Sequence, residues 1–191
     1  MGEKNSSGPL EILSPAKLLD RSKAYALEYL LRNENFVGRG VILSKALNRL
    51  VPFNAPHGFV IEHLSEDQVR VSLPSRRSNW NHLNSVHACA IATLGEMVAG
   101  LSILHMLGIS NHRLILKSLA IDYIKQATTN LEGVATLSLE EQNRVKEELA
   151  TDHLSSITIN SKVYNNQSEL VAKIESCWQL KNWDYVTFKS L

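Results

Sequence analysis

Residues 83–104 read LNSVHACAIATLGEMVAGLSIL, a long apolar stretch in which Glu96 is the only formally charged side chain. Ala and Gly recur along it, so a helix formed here has a thin profile around which a sheet can wrap closely. A carboxylate in such surroundings must be paired, protonated or exposed to a cavity, because an isolated ion in an apolar interior is costly. The stretch therefore predicts a buried central helix and makes Glu96 a candidate functional residue.

A membrane-spanning helix is the first alternative for this stretch, because its length matches about 30 Å of hydrocarbon. Glu96 lies near its centre, and strand-like amphipathic segments flank it on both sides. Intramembrane carboxylates are costly and rare. We therefore predict no membrane span.

The segments around the stretch have the period-two pattern of β-strands. A hairpin is expected over 59–73 and a polar connector over 74–84. After the long helix we expect two strands, a charged helix near 140–152, and two further strands joined through Asn165 and Asn166. This order predicts an α+β fold, in which an antiparallel sheet wraps around one long central helix.

The amino-terminal part has a different character. Residues 1–14 are polar and predict a flexible tail, and Ser14 before Pro15 is a favourable helix start. Helical periodicity over 15–52 predicts an N-terminal helical extension that ends at Pro52. The remaining residues, 53–191, form the predicted main domain.

Composition excludes several functional classes. Twenty Lys and Arg balance nineteen Asp and Glu, so no positive surplus indicates nucleic-acid binding. The seven histidines lack metal-ligand spacing, and we predict no metal site. Cys89 and Cys177 form no CxxC pair, which favours a reducing cytoplasmic location, and Cys89 is expected to be a small buried side chain.

The central stretch also carries a family resemblance. The run from Arg76 through Asn81, 87–90 and 96–100, with 119–125 in the following strand, resembles hotdog-fold thioesterases of the phenylacetate-pathway type. It most closely resembles an uncharacterised thioesterase-like branch of that superfamily. The resemblance covers roughly residue 47 to the carboxyl terminus, and it implies the hotdog fold for the main domain.

The spacing of three polar residues supports this resemblance. Catalytic relatives have an Asn, a His-Gly-Gly six residues later, and an acidic residue nine beyond the His; Asn81, His87 and Glu96 keep these intervals. Ala88 and Cys89 replace the two glycines. The substitution adds side-chain atoms where a substrate carbonyl would approach.

The resemblance implies roles for these residues in thioester hydrolysis. Glu96 would act as general base on water or as nucleophile, and the Ala88 amide would bind the oxyanion. Asn81 would orient water or substrate, and His87 would shape the helix entrance. Ser118 lies near the place where relatives often have Ser or Thr. Structural roles remain open for each, such as a carboxylate satisfied across a dimer interface for Glu96.

Basic residues near these positions are candidate ligands for coenzyme A phosphates. Guanidinium groups bind phosphate through paired hydrogen bonds, so Arg76 and Arg77 are candidates, together with Lys125. Solvated surface charge is the alternative for all three.

The leading interpretation is therefore hydrolysis of an acyl-CoA or acyl-carrier-protein thioester. In the resembling enzymes the pocket forms between subunits, which implies a homodimer or a dimer of dimers. No cofactor is expected beyond coenzyme A as part of the substrate. A non-catalytic acyl-CoA-binding hotdog protein is the second hypothesis, favoured by His-Ala-Cys, and a hotdog dehydratase or hydratase is the third.

Overall fold

The structure is a computed structural model that describes residues 21–33 and 36–186. Its elements, in chain order, are α1 (Arg21–Arg32), α2 (Arg39–Leu50), β1 (Val60–Leu64), β2 (Gln68–Leu73), a 3-10 turn (Arg77–Asn79), α3 (Ala88–Leu107), β3 (His112–Tyr123), β4 (Leu131–Thr136), α4 (Leu139–Thr151), β5 (Leu154–Asn165), β6 (Leu170–Asn182) and a second 3-10 turn (Trp183–Tyr185). The predicted tail over 1–14 and the helix start at Ser14 lie outside the described residues.

The strands form one antiparallel sheet in the described part of the chain. Their order is β1-β2-β4-β5-β6-β3, so β1 and β3 are its edges. The predicted order of elements and the antiparallel sheet around one long helix are confirmed. The β5–β6 turn differs in detail, because its left-handed residue is Ser168 (φ 60°) rather than Asn165 or Asn166.

Helix α3 begins at Ala88, five residues later than the apolar stretch indicated. Two local features prevent an earlier start. The Asn81 side chain accepts backbone hydrogen bonds from Leu83 and Ser85, and Asn84 has a left-handed φ of 55°. His87 then caps the helix with its side chain.

Small residues let the sheet approach α3 closely. A Cβ atom at Gly95 would lie 2.7 Å from Cγ1 of Ile174 on β6, and one at Gly133 on β4 would lie 2.8 Å from Cγ of Leu94. Among the described helices α3 alone is long and apolar enough to cross a membrane, and most of it is buried within the sheet. It is the core helix of the fold.

The first helix of the extension, α1, packs at the carboxyl end of α3, and the second, α2, packs beside β1. His105 Nδ1 donates to the Leu31 carbonyl oxygen at 2.6 Å, and the Ile109 amide donates to the Glu28 carboxylate at 2.9 Å. Arg39 is buried and donates to the Leu64 carbonyl oxygen of β1 at 2.8 Å. Helix α1 therefore covers the end of α3 that is remote from His87, and α2 covers the edge strand β1. The division at residues 52 and 53 stays a prediction.

Candidate functional site

The first turn of α3 leaves one backbone donor free. The Cys89 amide donates to His87 Nδ1 at 3.0 Å, and the amides of Ala90 and Ile91 donate to the His87 carbonyl oxygen at 2.9 and 3.2 Å. The Ala88 amide has no acceptor among the described residues. A free N–H at a helix amino terminus, reinforced by the helix dipole, favours a negatively charged or polarised oxygen.

A buried asparagine that the sequence analysis did not single out anchors this helix start. Asn79 is 1% exposed, and its backbone carbonyl oxygen accepts a hydrogen bond from the His87 amide at 2.7 Å. Its carboxamide donates to the carbonyl oxygens of His57 and Pro74 at 3.0 and 2.8 Å. Asn79 lies in a polar connector that contains several Asn residues, and no local pattern marks it as buried.

The Asn81 side chain uses its oxygen, but not its nitrogen, in hydrogen bonds with neighbouring residues. Its oxygen accepts from the amides of Leu83 and Ser85 and from the Ser85 hydroxyl, at 2.8, 3.2 and 3.1 Å. Its nitrogen has no partner among the described residues. Asn81 can therefore donate to a ligand, but its oxygen is taken.

A groove of about 400 Å³ runs between the segment around the α3 start and the residues that follow β3. Its polar side chains include Asn81, Lys125 and Gln126, and its other lining residues include Leu83, Val86, Ala88, Ile91, Tyr123 and Ile124. The fold thus brings three of the sequence-predicted site residues, Asn81, Ala88 and Lys125, to one concave surface.

Glu96 lies in a partly buried row of α3 with Ala92, Gly100 and Leu104. Its carboxylate has no hydrogen bond or ion pair with any described residue. Burial raises the pKa of the Glu96 carboxyl above its ordinary value. The eight-residue separation from Ala88 corresponds to about 12 Å along the helix axis. One chain therefore does not bring the free amide and the carboxylate to the same carbonyl group.

Ser118 is directed away from α3. A bulge between Leu116 and Ser118 shifts the register, after which Ser118 pairs with Cys177 on β6 and Leu119 pairs with Ser176. Paired residues share a face of the sheet. Since Ser176 is fully buried and Ser118 is exposed, Ser118 lies on the outer face, and the fold does not bring it to Ala88 or Glu96 within one chain.

The basic candidates differ in their surroundings. Arg76 is exposed and donates to the Pro56 carbonyl oxygen, and Arg77 is exposed in the short turn that follows. Lys125 forms an ion pair of 2.5 Å with Glu169, and this pairing lowers the pKa of the Glu169 carboxyl. Lys125 lies in the groove with its charge already balanced.

Two further residues at the α3 start changed the interpretation of the site. Cys89 is exposed, so the expectation of a buried thiol was wrong: it is the second residue of the helix and faces solvent rather than the sheet. Tyr123, which the sequence analysis did not assign, donates from its hydroxyl to the Ala88 carbonyl oxygen at 3.0 Å.

Within the described residues no group of three His, Cys, Asp or Glu is arranged to hold a metal ion.

Comparison of the sequence with models of protein families assigns the chain to a family. The model of a domain of unknown function, DUF4442, matches residues 39–180. The chain belongs to the DUF4442 family. No curated protein matches the sequence of this DUF4442 chain.

Solved structures with the same fold align with most of this DUF4442 chain. A Pseudomonas aeruginosa protein of unknown function described as "Probable Thioesterase" is 23% identical, covers 74% of this chain and 95% of its own, and has a TM-score of 0.67. A mutant thioesterase from Staphylococcus aureus is 14% identical, with 69% and 99% covered and a TM-score of 0.58. A thioesterase from Haemophilus influenzae is 12% identical, with 72% and 90% covered and a TM-score of 0.57. The predicted hotdog fold is confirmed.

Proposed function

We propose that this protein hydrolyses the thioester bond of an acyl-CoA or acyl-carrier-protein substrate. The observation that carries this proposal is the Ala88 amide, which has no acceptor among the described residues and belongs to a residue that lines a groove at the amino terminus of the core helix. Acyl transfer needs a donor where the oxyanion develops, and one such donor stabilises the transition state by about 2.7–4 kcal/mol. The thioesterase descriptions of structures with this fold support the same reaction class.

Glu96 supplies the second requirement, a base or nucleophile. Its carboxylate, which no described residue pairs, either removes a proton from water as the oxygen attacks the thioester carbon, or attacks that carbon itself. The tetrahedral intermediate places its negative oxygen on the Ala88 amide. Its collapse breaks the carbon–sulfur bond. On the general-base route the leaving thiolate takes up the proton that Glu96 removed from water, and the acid is released. On the nucleophilic route the thiolate takes up a proton from solvent, and water then hydrolyses the mixed anhydride formed with Glu96, which releases the acid and restores the carboxylate. A raised pKa makes the Glu96 carboxylate a stronger base than that of an ordinary glutamate.

Two subunits are needed for these groups to meet. The separation of about 12 Å along α3 prevents one chain from placing Ala88 and Glu96 at one carbonyl. The outer edge of β3 pairs with no described strand, and such an edge is a ready template for a second chain. We therefore propose a homodimer, with or without further assembly into a dimer of dimers, in which Ala88 of one subunit and Glu96 of the other form each site.

The remaining candidates have supporting roles in this proposal. The free nitrogen of Asn81 orients water or the acyl carbonyl, and His87 fixes the first helical turn. Lys125, Arg76 and Arg77 bind the phosphates of coenzyme A, with Lys125 best placed because it lines the groove. Ser118 contributes only from the outer face of the sheet. Coenzyme A is part of the substrate, and we propose the cytoplasm as the compartment.

A specific observation favours binding without turnover as a second candidate. Ala88 and Cys89 are both exposed at the first turn of α3, where the resembling enzymes have glycines. Their side-chain atoms narrow the approach of a carbonyl to the Ala88 amide. A protein with this constriction would bind an acyl-CoA in the groove and release no thiol.

Thiol release from a panel of acyl thioesters tests the proposal. We expect wild-type protein to turn over, and Glu96→Gln to lose at least about a hundredfold in rate. Glu147→Gln, an exposed helical glutamate on α4, is the matched control and keeps the wild-type rate. Equal rates for Glu96→Gln and wild type would remove Glu96 from catalysis, whereas acyl-CoA binding without release would support the second candidate.

A further inference from the structure

Tyr123 connects the edge strand β3 to the first turn of the core helix. It is the last residue of β3, and its hydroxyl donates to the Ala88 carbonyl oxygen at 3.0 Å. Its ring is half exposed and lines the groove beside Ile91 and Ile124. Ala88, which this hydrogen bond holds, is also the residue whose amide has no acceptor among the described residues.

The strand geometry directs Tyr123 to this place. After the bulge at Ser118, alternate residues of β3 face α3, and Leu119 and Ile121 pack against the core. Tyr123 continues that inward series, and it alone of the three has a polar group. Ser118, the hydroxyl residue expected from the sequence, is on the opposite face.

We propose that Tyr123 is a positioning residue that holds Ala88 so that its amide meets the substrate carbonyl, and that its ring forms a wall of the substrate groove. This inference rests on the proposed thioester hydrolysis. It assigns Tyr123 no contact with the reacting atoms through its hydroxyl, which is occupied by Ala88.

Ala88 needs such an anchor because its own side chain supplies none. The His87 cap and the His87 carbonyl oxygen hold Cys89, Ala90 and Ile91, but no described group accepts from the Ala88 amide. Terminal helical turns fray when their backbone groups lack partners. An oxyanion donor is effective only when its geometry is fixed before the reaction. A hydroxyl on a rigid ring, attached to a sheet, restricts this residue.

The Tyr123 hydroxyl remains a donor over the working range of pH. Burial, and secondarily the neighbouring Cys89 thiol, raise the pKa of the Tyr123 phenol above its ordinary value. The phenol therefore keeps its proton at neutral and mildly alkaline pH, and the hydrogen bond to Ala88 persists.

Three variants and two probes test this role. Tyr123→Phe deletes the hydroxyl and keeps the wall, Tyr123→Leu deletes both, and Tyr185→Phe is the matched control. Tyr185 is as exposed as Tyr123, at 50%, but stacks on His153 away from the groove. Thiol release gives kcat and KM, and the affinity for an S-alkyl-CoA thioether, which lacks the carbonyl, reports on the groove alone.

We expect Tyr123→Phe to lower kcat about tenfold, less than loss of an oxyanion donor, with KM and thioether affinity within about twofold of wild type. Tyr123→Leu should lower kcat similarly and also weaken thioether binding several-fold. Wild-type kcat in Tyr123→Phe, or a loss equal to that of Tyr185→Phe, would overturn the positioning role while leaving hydrolysis intact. Absence of thiol release from the wild type would overturn both proposals.

Discussion

His87 Nδ1 accepts a hydrogen bond from the Cys89 amide at 3.0 Å, and this contact decides which donor of the α3 terminus is free. The His87 side chain accepts from the second amide of the helix, that of Cys89, and the His87 carbonyl oxygen accepts from the third and fourth, those of Ala90 and Ile91. The first amide, that of Ala88, is left at the groove. The chemistry proposed for the site depends on this arrangement.

Replacing Ala88 with proline should remove activity without loss of stability. Proline lacks the N–H group and is well tolerated at the first helical position. It also requires an extended preceding residue, and His87 already has φ −64° and ψ 140°. We expect Ala88→Pro to lower kcat by about 10²–10³-fold, with an unchanged thermal midpoint. Ala88→Gly, which keeps the N–H, is the control and should stay near the wild-type rate.

Mixing two inactive variants should restore activity if each site draws on two subunits. A heterodimer of Ala88→Pro and Glu96→Gln has one site with both groups intact. Random exchange makes half of the dimers heterodimers, so the mixture should reach about one quarter of wild-type activity. The measurement is thiol release before and after co-refolding of equal amounts. No gain over the separate variants would show that both groups act within one chain, or not at all.

The pH dependence of hydrolysis should report the shifted carboxyl. Since burial raises the pKa of Glu96, the basic form required for catalysis is lost as pH falls through a value above that of an ordinary glutamate. We expect kcat/KM to decline as the pH falls, with a midpoint above the ordinary pKa range of a glutamate, and to level off at pH values above that midpoint. A midpoint at or below that of a solvated glutamate would argue against Glu96 as the base.

Glu96 should also reduce stability at neutral pH. A carboxyl whose pKa is raised in the folded state binds its proton more tightly there than in the unfolded chain. Its contribution is therefore most favourable below the unfolded pKa and is lost as pH rises through the folded pKa. We expect Glu96→Gln to raise the thermal midpoint at pH 7 and to raise it less at pH 4. Glu147→Gln should show no such difference between the two pH values.

Releasing Lys125 from its ion pair should strengthen binding of coenzyme A thioesters. Glu169→Gln removes the partner at 2.5 Å and leaves the ammonium free for a phosphate. We expect KM for acyl-CoA to fall, and KM for an acyl thioester of N-acetylcysteamine, which has no phosphate, to stay constant. Stability should change by under about 1 kcal/mol, because the pair is half exposed. Glu132→Gln, which removes a partner of Arg70, is the control.

An unchanged KM for acyl-CoA in Glu169→Gln would indicate that Lys125 does not meet the phosphates. Lys125→Met distinguishes the remaining cases. If KM rises for acyl-CoA alone, Lys125 binds phosphate already while paired with Glu169. If KM for acyl-CoA is unchanged in Lys125→Met as well, the Lys125 ammonium does not bind the substrate and is an ordinary surface charge.

The sequence by itself determined the central helix and its place in the fold. An apolar stretch with one carboxylate and many small residues has few alternatives to a buried helix, and the period-two segments around it indicate a sheet. The resemblance to hotdog-fold thioesterases, whose spacing Asn81, His87 and Glu96 keep, implied the candidate site residues. These features are local, because burial of one face imposes a repeat on the chain itself.

Tertiary structure alone decided which groups meet at the helix start. Asn79 and Tyr123 reach it through hydrogen bonds to His87 and Ala88, and the partner of Tyr123 is distant in sequence. A one-residue bulge turned Ser118 to the outer face, since a shift of one residue reverses the side of every later side chain. No periodic pattern records such contacts, because they depend on how strands register against a helix rather than on the residues nearby.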